Sequence, residues 1–361
     1  MLASLFCTSR YMGPSPQNVW PLAGAYYSSE IGTRSMNTVL DQFRYADEFG
    51  FDWVTVAEHH YSGFSMTPNP MIVAGALSQI VRRAKIAVLG PTIPLLNPVR
   101  VAEEFAMLDT MTGGRVVAGL FRGTPNEYVT YNINPDESRA RFAEAIEIIK
   151  LAWTEPQPFG WQGRYYQYST ISIWPRPVQV PHPPIYMSGS SPEAGDFAAR
   201  NRIGLGFAFT TVPQAKKAAD YFRGRAQHYG WDPQPKDLIY RVGFYVADSD
   251  EEAIADMSAT PNRASLSAAN AAIVAALAET NYYGRDEGQR NRTATRNLQE
   301  RIDLGQLLVG GPDTVVQQIK RIRDELGAGI LDCTIAAQLG DKTLRSIELF
   351  GTKVLPRIRE L

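Results

Sequence analysis

Glu58-His59-His60 sets two of the chain's four histidines side by side, directly after the apolar run from Phe51 to Ala57. An imidazole gives or takes a proton near neutral pH, so a histidine at a strand end is a natural general acid or base. Adjacent strand residues face opposite ways, so His59 and its neighbours should divide between a site and the surrounding helices. The competing reading makes both histidines structural, hydrogen-bonded members of the strand end. A metal is a poorer match. Catalytic zinc usually needs three protein ligands, whereas His182 and His228 lie in a proline-rich loop and near a helix end, with no His-x-x-x-His spacing anywhere. No metal site is expected.

A second group of residues suits an anion. Met187-Ser188-Gly189-Ser190-Ser191-Pro192-Glu193 leads from a strand into a helix, with Ser191 as N-cap and Pro192 in the first turn. Backbone N–H groups at such a start, joined by two hydroxyls, can hold a phosphate. Ordinary capping explains the same residues, and Glu193 would repel an anion if it turned inward. Arg122 follows the strand-like run Gly114 to Leu120 and could meet that phosphate with a bidentate contact; the alternative is a surface salt bridge.

These residues need elements to position them, and the chain supplies an alternation. Strands are expected at Leu2 to Cys7, Asp52 to Ala57, Lys85 to Leu89, Arg115 to Leu120, Pro184 to Ser188, Ile203 to Phe209, Leu238 to Ala247 and Ile330 to Ile335. Helices are expected at Ser35 to Phe49, Asn69 to Arg83, Val99 to Met111, Ser138 to Trp153, Pro192 to Asn201, Pro213 to Tyr229, Asp250 to Leu277 and Pro312 to Leu326. One more, Lys342 to Leu355, closes the chain. Eight such βα units fit a (β/α)8 TIM barrel, an α/β fold whose active site lies at the C-terminal ends of the strands. A doubly wound open sheet gives the same alternation.

The 361 residues exceed the roughly 250 of a typical barrel. The excess is assigned to insertions in a single domain over 1–361: one near 155–183, aromatic and rich in proline, and one near 261–301, polar and arginine-rich towards its end, which looks like a mobile excursion. A formal net charge of -1 offers no field for a polyanion, so nucleic acid is not an expected partner. Cys7 and Cys333 give no disulfide framework, and no apolar stretch reaches the roughly 18 to 20 residues of a membrane span. A cytoplasmic protein is expected.

In order along most of the chain, the sequence resembles the bacterial luciferase-like flavin monooxygenases. The resemblance rests on Gly50 to His60, then Asn97-Pro98-Val99-Arg100 with Glu103 and Glu104, Leu108-Asp109, Gly114-Arg115, Arg122-Gly123 and Glu137-Ser138-Arg139. It continues through Ser188 to Ser191 with Ala198-Ala199, and Val309-Gly310-Gly311-Pro312. The pieces are individually weak and specific in succession. The family implies a luciferase-like barrel that binds reduced FMN and reacts it with O2. By position, His59 looks like the active-site histidine serving the oxygen-activated flavin. Arg122, Ser190 and Ser191 look like phosphate ligands, flanked by Met187 and Gly189. Leu89 and Gly90 match the strand end beside the flavin ring, where the family has a cis peptide bond; here Pro91 follows, so a cis bond could instead fall at Gly90-Pro91. Ser190 stands where luciferases proper have an acidic residue, and Phe121 where they have a cysteine, so light emission is not implied.

The resemblance implies a two-component enzyme supplied with reduced flavin by a separate flavin reductase, in keeping with the absence of a Gly-x-Gly-x-x-Gly fingerprint. It also admits an oxidoreductase that uses a deazaflavin coenzyme and transfers hydride without oxygen. A flavin-binding barrel without turnover is the third possibility. Aromatic and apolar residues after the strands, Tyr11, Met12, Tyr61, Phe64, Phe121 and Tyr128, point to a small apolar organic substrate. A homodimer is expected.

Overall fold

Trp53–Val56 is buried at every position, as are Val116–Gly119 and Gly204–Phe207. Short apolar runs covered on both faces are what parallel sheets require. The computed structural model describes residues 1–16, 19–208, 210–260, 296–336 and 338–361. In chain order its strands are β1 (Leu2–Phe6), β2 (Trp53–Val56), β3 (Lys85–Val88), β4 (Val116–Gly119), β5 (Phe159–Gln162), β6 (Gln167–Ile171), β7 (Ile185–Ser188), β8 (Gly204–Phe207), β9 (Leu238–Val246), β10 (Leu307–Gly310) and β11 (Ile330–Ile335). The helices are α1 (Ser29–Glu48), α2 (Pro70–Ile80), α3 (Pro98–Thr112), α4 (Pro125–Tyr131), α5 (Ser138–Thr154), α6 (Pro192–Asn201), α7 (Val212–His228), α8 (Asp250–Ala259), α9 (Leu298–Asp303), α10 (Pro312–Leu326), α11 (Asp341–Leu349) and α12 (Leu355–Arg359).

Eight strands close a parallel ring in the order β1, β2, β3, β4, β7, β8, β9, β11, and Leu2 pairing Ile330 seals it. The fold is therefore a (β/α)8 TIM barrel, and the open-sheet alternative is set aside. Side chains alternate across the ring. Trp53, Ala87, Leu89, Val117, Tyr186, Ile239 and Ile330 pack together in the lumen, while Val54, Val56, Ile86 and Val88 pack outward against the helices. Among the described residues no helix is long and apolar enough to cross a membrane.

Several helices start from one device, a capping side chain followed by proline. Asn69 Oδ1 accepts from Met71 N, Asn97 Oδ1 from Val99 N and Arg100 N, and Ser191 Oγ from Ala194 N, with proline at the next position each time. Such a start satisfies orphan N–H groups without needing the one that proline lacks. The expected start of α1 at Ser35 lies inside the helix, because Ser28 caps it earlier; Gly32 and Thr33 blur the periodicity of that first turn. The insertion after α5 carries an antiparallel hairpin, β5 with β6, pinned by Glu144, which accepts from Trp161 Nε1, Tyr165 N and Tyr166 N. Strand β10 has no counterpart among the expected strands; it pairs with the upper half of β9, beyond the reach of β8. Phe209, the expected helix beyond Thr260, and the second insertion up to residue 295 lie outside the described residues.

Candidate functional site

The C-terminal ends of the ring converge on the loop after β2. That strand ends at Val56, three residues before His59, so strand alternation no longer governs where the two histidines point. Both turn to one short helix. His59 Nδ1 lies 3.5 Å from Glu127 Oε1, and the ring of Tyr131 lies edge-on to His60 with centroids 5.2 Å apart. Glu127 and Tyr131 are four residues apart and so share a face of α4.

The two histidines nevertheless differ. His60 is buried, with Nε2 3.3 Å from Glu58 Oε1, while Glu58 Oε2 accepts from Thr92 N and the His60 carbonyl accepts from Trp20 Nε1. Those contacts tie three loops together and leave His60 a packing role. The His59 side chain keeps 13% exposure, and its contact with Glu127 is an ion-pair approach, not an aligned hydrogen bond. Among the described residues nothing hydrogen-bonds its Nε2. With Nδ1–H turned to a carboxylate, Nε2 is the atom left to exchange a proton.

Glu127 is a partner that no strand-end motif in the sequence marks. Its Oε2 accepts from the backbone N–H and the hydroxyl of Thr124 in a capping box at the start of α4. Burial pushes its carboxyl up, but the contact with His59 and the two Thr124 donors outweigh that and hold it below the ordinary carboxylate range. It is therefore an anion at neutral pH. The signal was present in Thr124-x-x-Glu127, a spacing that marks a capping box.

The residues expected to bind an anion follow adjacent strands, since Gly119 pairs with Tyr186. Arg122 Nη1 donates to the buried hydroxyl of Ser138, 3.2 Å away. Arg139 Nη1 lies 3.8 Å from Glu193 Oε2. The Glu193 carboxyl is held below its ordinary range by its own backbone N–H and the Ser191 hydroxyl, against a smaller opposing effect of burial, with Arg139 and Arg122 adding to the lowering. Arg122 thus acts electrostatically on the turn that carries Ser190 and Ser191. A Cβ on Gly189 would stand 2.4 Å from that of Ala194, so only glycine lets the turn lie flat on α6. A guanidinium, several hydroxyls and a helix start form the donor set that a phosphate monoester needs.

Between these two groups lies the Leu89-Gly90 edge. The cis bond falls between Leu89 and Gly90, and Gly90-Pro91 is not cis. Leu89 is buried in the lumen, and Phe121 packs over Gly90. A Cβ on Gly90 would sit 2.7 Å from the Gly119 carbonyl oxygen and 2.8 Å from Phe121 Cγ. Backbone cannot swing away, so Gly90→Ala is expected to lower stability by about 1 to 3 kcal/mol. Urea denaturation checks this, and an unchanged midpoint would show that the strand end yields.

The remaining expected residues scatter. Phe64 stands 6.0 Å from His59, edge to face, with the Arg10 guanidinium over its ring. Tyr11 is buried, its hydroxyl donating to Tyr26 O and accepting from Ser28 N, so it laces the first loop together. Met12 and Tyr61 are exposed, Tyr61 beside Trp20. Tyr128 is buried and donates to the Arg122 carbonyl at 2.5 Å, fixing the loop that carries that arginine. Met187 packs between the barrel and the helices. Among the described residues no three histidine, cysteine or carboxylate groups converge as a metal site.

Set beside known proteins, the chain matches the family model described as luciferase-like monooxygenase over residues 14–329. Two curated relatives are matched over 45% and 60% of their own lengths. The latter, the oxygenase component of the flavin-dependent trigonelline monooxygenase of Acinetobacter baylyi, is 25% identical over 60% of this chain. A solved monooxygenase from Streptomyces bottropensis is 25% identical, with 99% of this chain and 100% of that one covered at a TM-score of 0.78. Two further structures share the fold. One is the oxygenating constituent of 3,6-diketocamphane monooxygenase from Pseudomonas putida, solved with FMN (19% identical, 99% and 98% covered, TM-score 0.76). The other is an alcohol dehydrogenase dependent on coenzyme F420 (18% identical, 99% of each chain, TM-score 0.72).

Proposed function

Because the chain belongs to the luciferase-like monooxygenase family, we propose that it binds reduced FMN at the barrel mouth and inserts one atom of O2 into a small, largely apolar organic molecule. The observation that carries this reading is the His59–Glu127 pair, a proton-exchanging imidazole backed by a buried carboxylate. Arg122, Ser190 and Ser191, with Met187 and Gly189 shaping their turn, would hold the phosphate, and the Leu89-Gly90 edge would receive the ring. Bound reduced FMN supplies two electrons and the site of oxygen activation.

The chain's own residues do the rest. Glu127 fixes the imidazole so that Nε2 faces the mouth. His59 then gives or takes the proton that accompanies oxygen transfer, and the second oxygen atom leaves as water. Phe64, edge-on to His59, screens the imidazole from bulk water, so the proton passes to the reacting atoms and not to solvent. Electrons come from a separate reductase, as the relative named an oxygenase component supports. With photoreduced FMN as the only reductant, product formation should require oxygen. Turnover of the same substrates with oxygen excluded would instead indicate hydride transfer.

A further inference from the structure

An ion pair is buried in the barrel lumen beneath the mouth. Arg241 on β9 lies in register with Asp332 on β11, and both alternate with the lumen residues Ile239 and Ile330, so both point inward. Arg241 Nε and Nη2 both approach one oxygen, Asp332 Oδ2, at 2.7 and 2.6 Å. The guanidinium carbon stands 3.7 Å from the ring centroid of Phe6, the last residue of β1. Arg241 Nη1 has no hydrogen-bond partner among the described residues, and Asp332 Oδ1 is buried without one. The side chains are 11% and 1% exposed.

Stability does not explain this arrangement. A buried ion pair rarely outdoes apolar residues of the same volume, and an unmatched buried acceptor adds a desolvation cost. Gly243, two residues above Arg241 on the same face of β9, adds no side chain of its own, and Leu307 packs against it, its Cδ1 2.8 Å from where a Cβ would stand. On the neighbouring β8, a Cβ added to Gly206 would meet nothing nearer than 3.6 Å. Phe6, in the layer of Gly243 one step nearer the mouth, covers one face of the guanidinium, while the Arg241 side chain keeps its 11% exposure.

We propose that Arg241 is the specificity-determining anchor of the substrate pocket and that the substrate, though largely apolar, carries a neutral oxygen acceptor such as a ketone or amide carbonyl. The pair is neutral overall, so a carboxylate would add an uncompensated charge to the lumen, whereas a hydrocarbon would leave Nη1 unmatched. A carbonyl satisfies it at no charge. This deepens the proposed function and rests on it only for what is done to the bound molecule.

The test uses three probes of similar shape, cyclohexanone, methylcyclohexane and cyclohexanecarboxylate, with affinities read by ligand-observed NMR on the full chain with and without FMN. Cyclohexanone should bind about tenfold more tightly than either of the others, the range expected for one hydrogen bond from a charged donor. In the double variant Arg241→Met with Asp332→Leu, chosen to leave no unpaired buried charge, that preference should vanish while FMN affinity holds. Equal binding of the three probes by the wild-type protein, failure of cyclohexanone to bind, or a preference that survives the double change would overturn the proposal. A parallel loss of FMN affinity would overturn it too, by making Arg241 a cofactor contact. Failure of FMN to bind the wild-type protein would count against the proposed function alone, because the probe preference is also read without flavin.

Discussion

His59→Ala is expected to bind FMN as the wild-type protein does, yet to form product about 10² to 10⁴ times more slowly, the worth of a positioned general acid or base. The oxygen it consumes should appear as hydrogen peroxide. In the proposed site the imidazole sits across the Leu89-Gly90 edge from the proposed phosphate donors, so its loss should affect the reacting state and not ground-state binding. Glu127→Gln separates positioning from packing. It keeps the shape of a side chain that is 2% exposed but removes the charge that faces Nδ1, so the pH dependence of product yield should shift while the fold persists. His60→Ala is the comparison. Its contacts with Glu58 and Tyr131 are buried, so it should lower thermal stability and leave the yield per flavin oxidised unchanged. Were His60→Ala to release peroxide and His59→Ala not, the two assignments would exchange.

Arg122→Ala should weaken FMN binding by roughly tenfold to a hundredfold, the equivalent of one charge-assisted hydrogen bond of about 1.5 to 3 kcal/mol. Riboflavin, which lacks the phosphate, should bind the variant and the wild-type protein alike. Calorimetric titration of both flavins into both proteins gives the four values needed. Equal affinity of the wild-type protein for FMN and riboflavin would remove the phosphate site, whatever the variant did.

The barrel was legible because its strands are short, apolar and buried on both faces, and because several βα turns carry a cap and a proline, as at Asn97-Pro98 and Ser191-Pro192. Strand β10 escaped because Leu307–Gly310 runs straight into the turn before Pro312 and pairs only with the upper half of β9, outside the ring. At the site, sequence marked the histidines but not their partners. Glu127 lies 68 residues beyond His59, and only the closing of α4 over the β2 loop brings them together. Alternation along a strand was the wrong guide there, since the strand had already ended. Arg241 and Asp332 carried a fainter signal: each is a lone charge in an otherwise apolar strand, but pairing them requires knowing that β9 and β11 are neighbours in the ring.

The proposed activity couples reduced FMN and dioxygen to oxygenation of an organic molecule. The most direct measurement supplies photoreduced FMN, isotopically labelled dioxygen and a panel of small apolar carbonyl compounds to the purified protein, with products read by mass spectrometry. The expected result is an organic product carrying one labelled oxygen atom, with the other recovered in water. An oxidised product without label, or one that forms equally well when dioxygen is withheld, would contradict it.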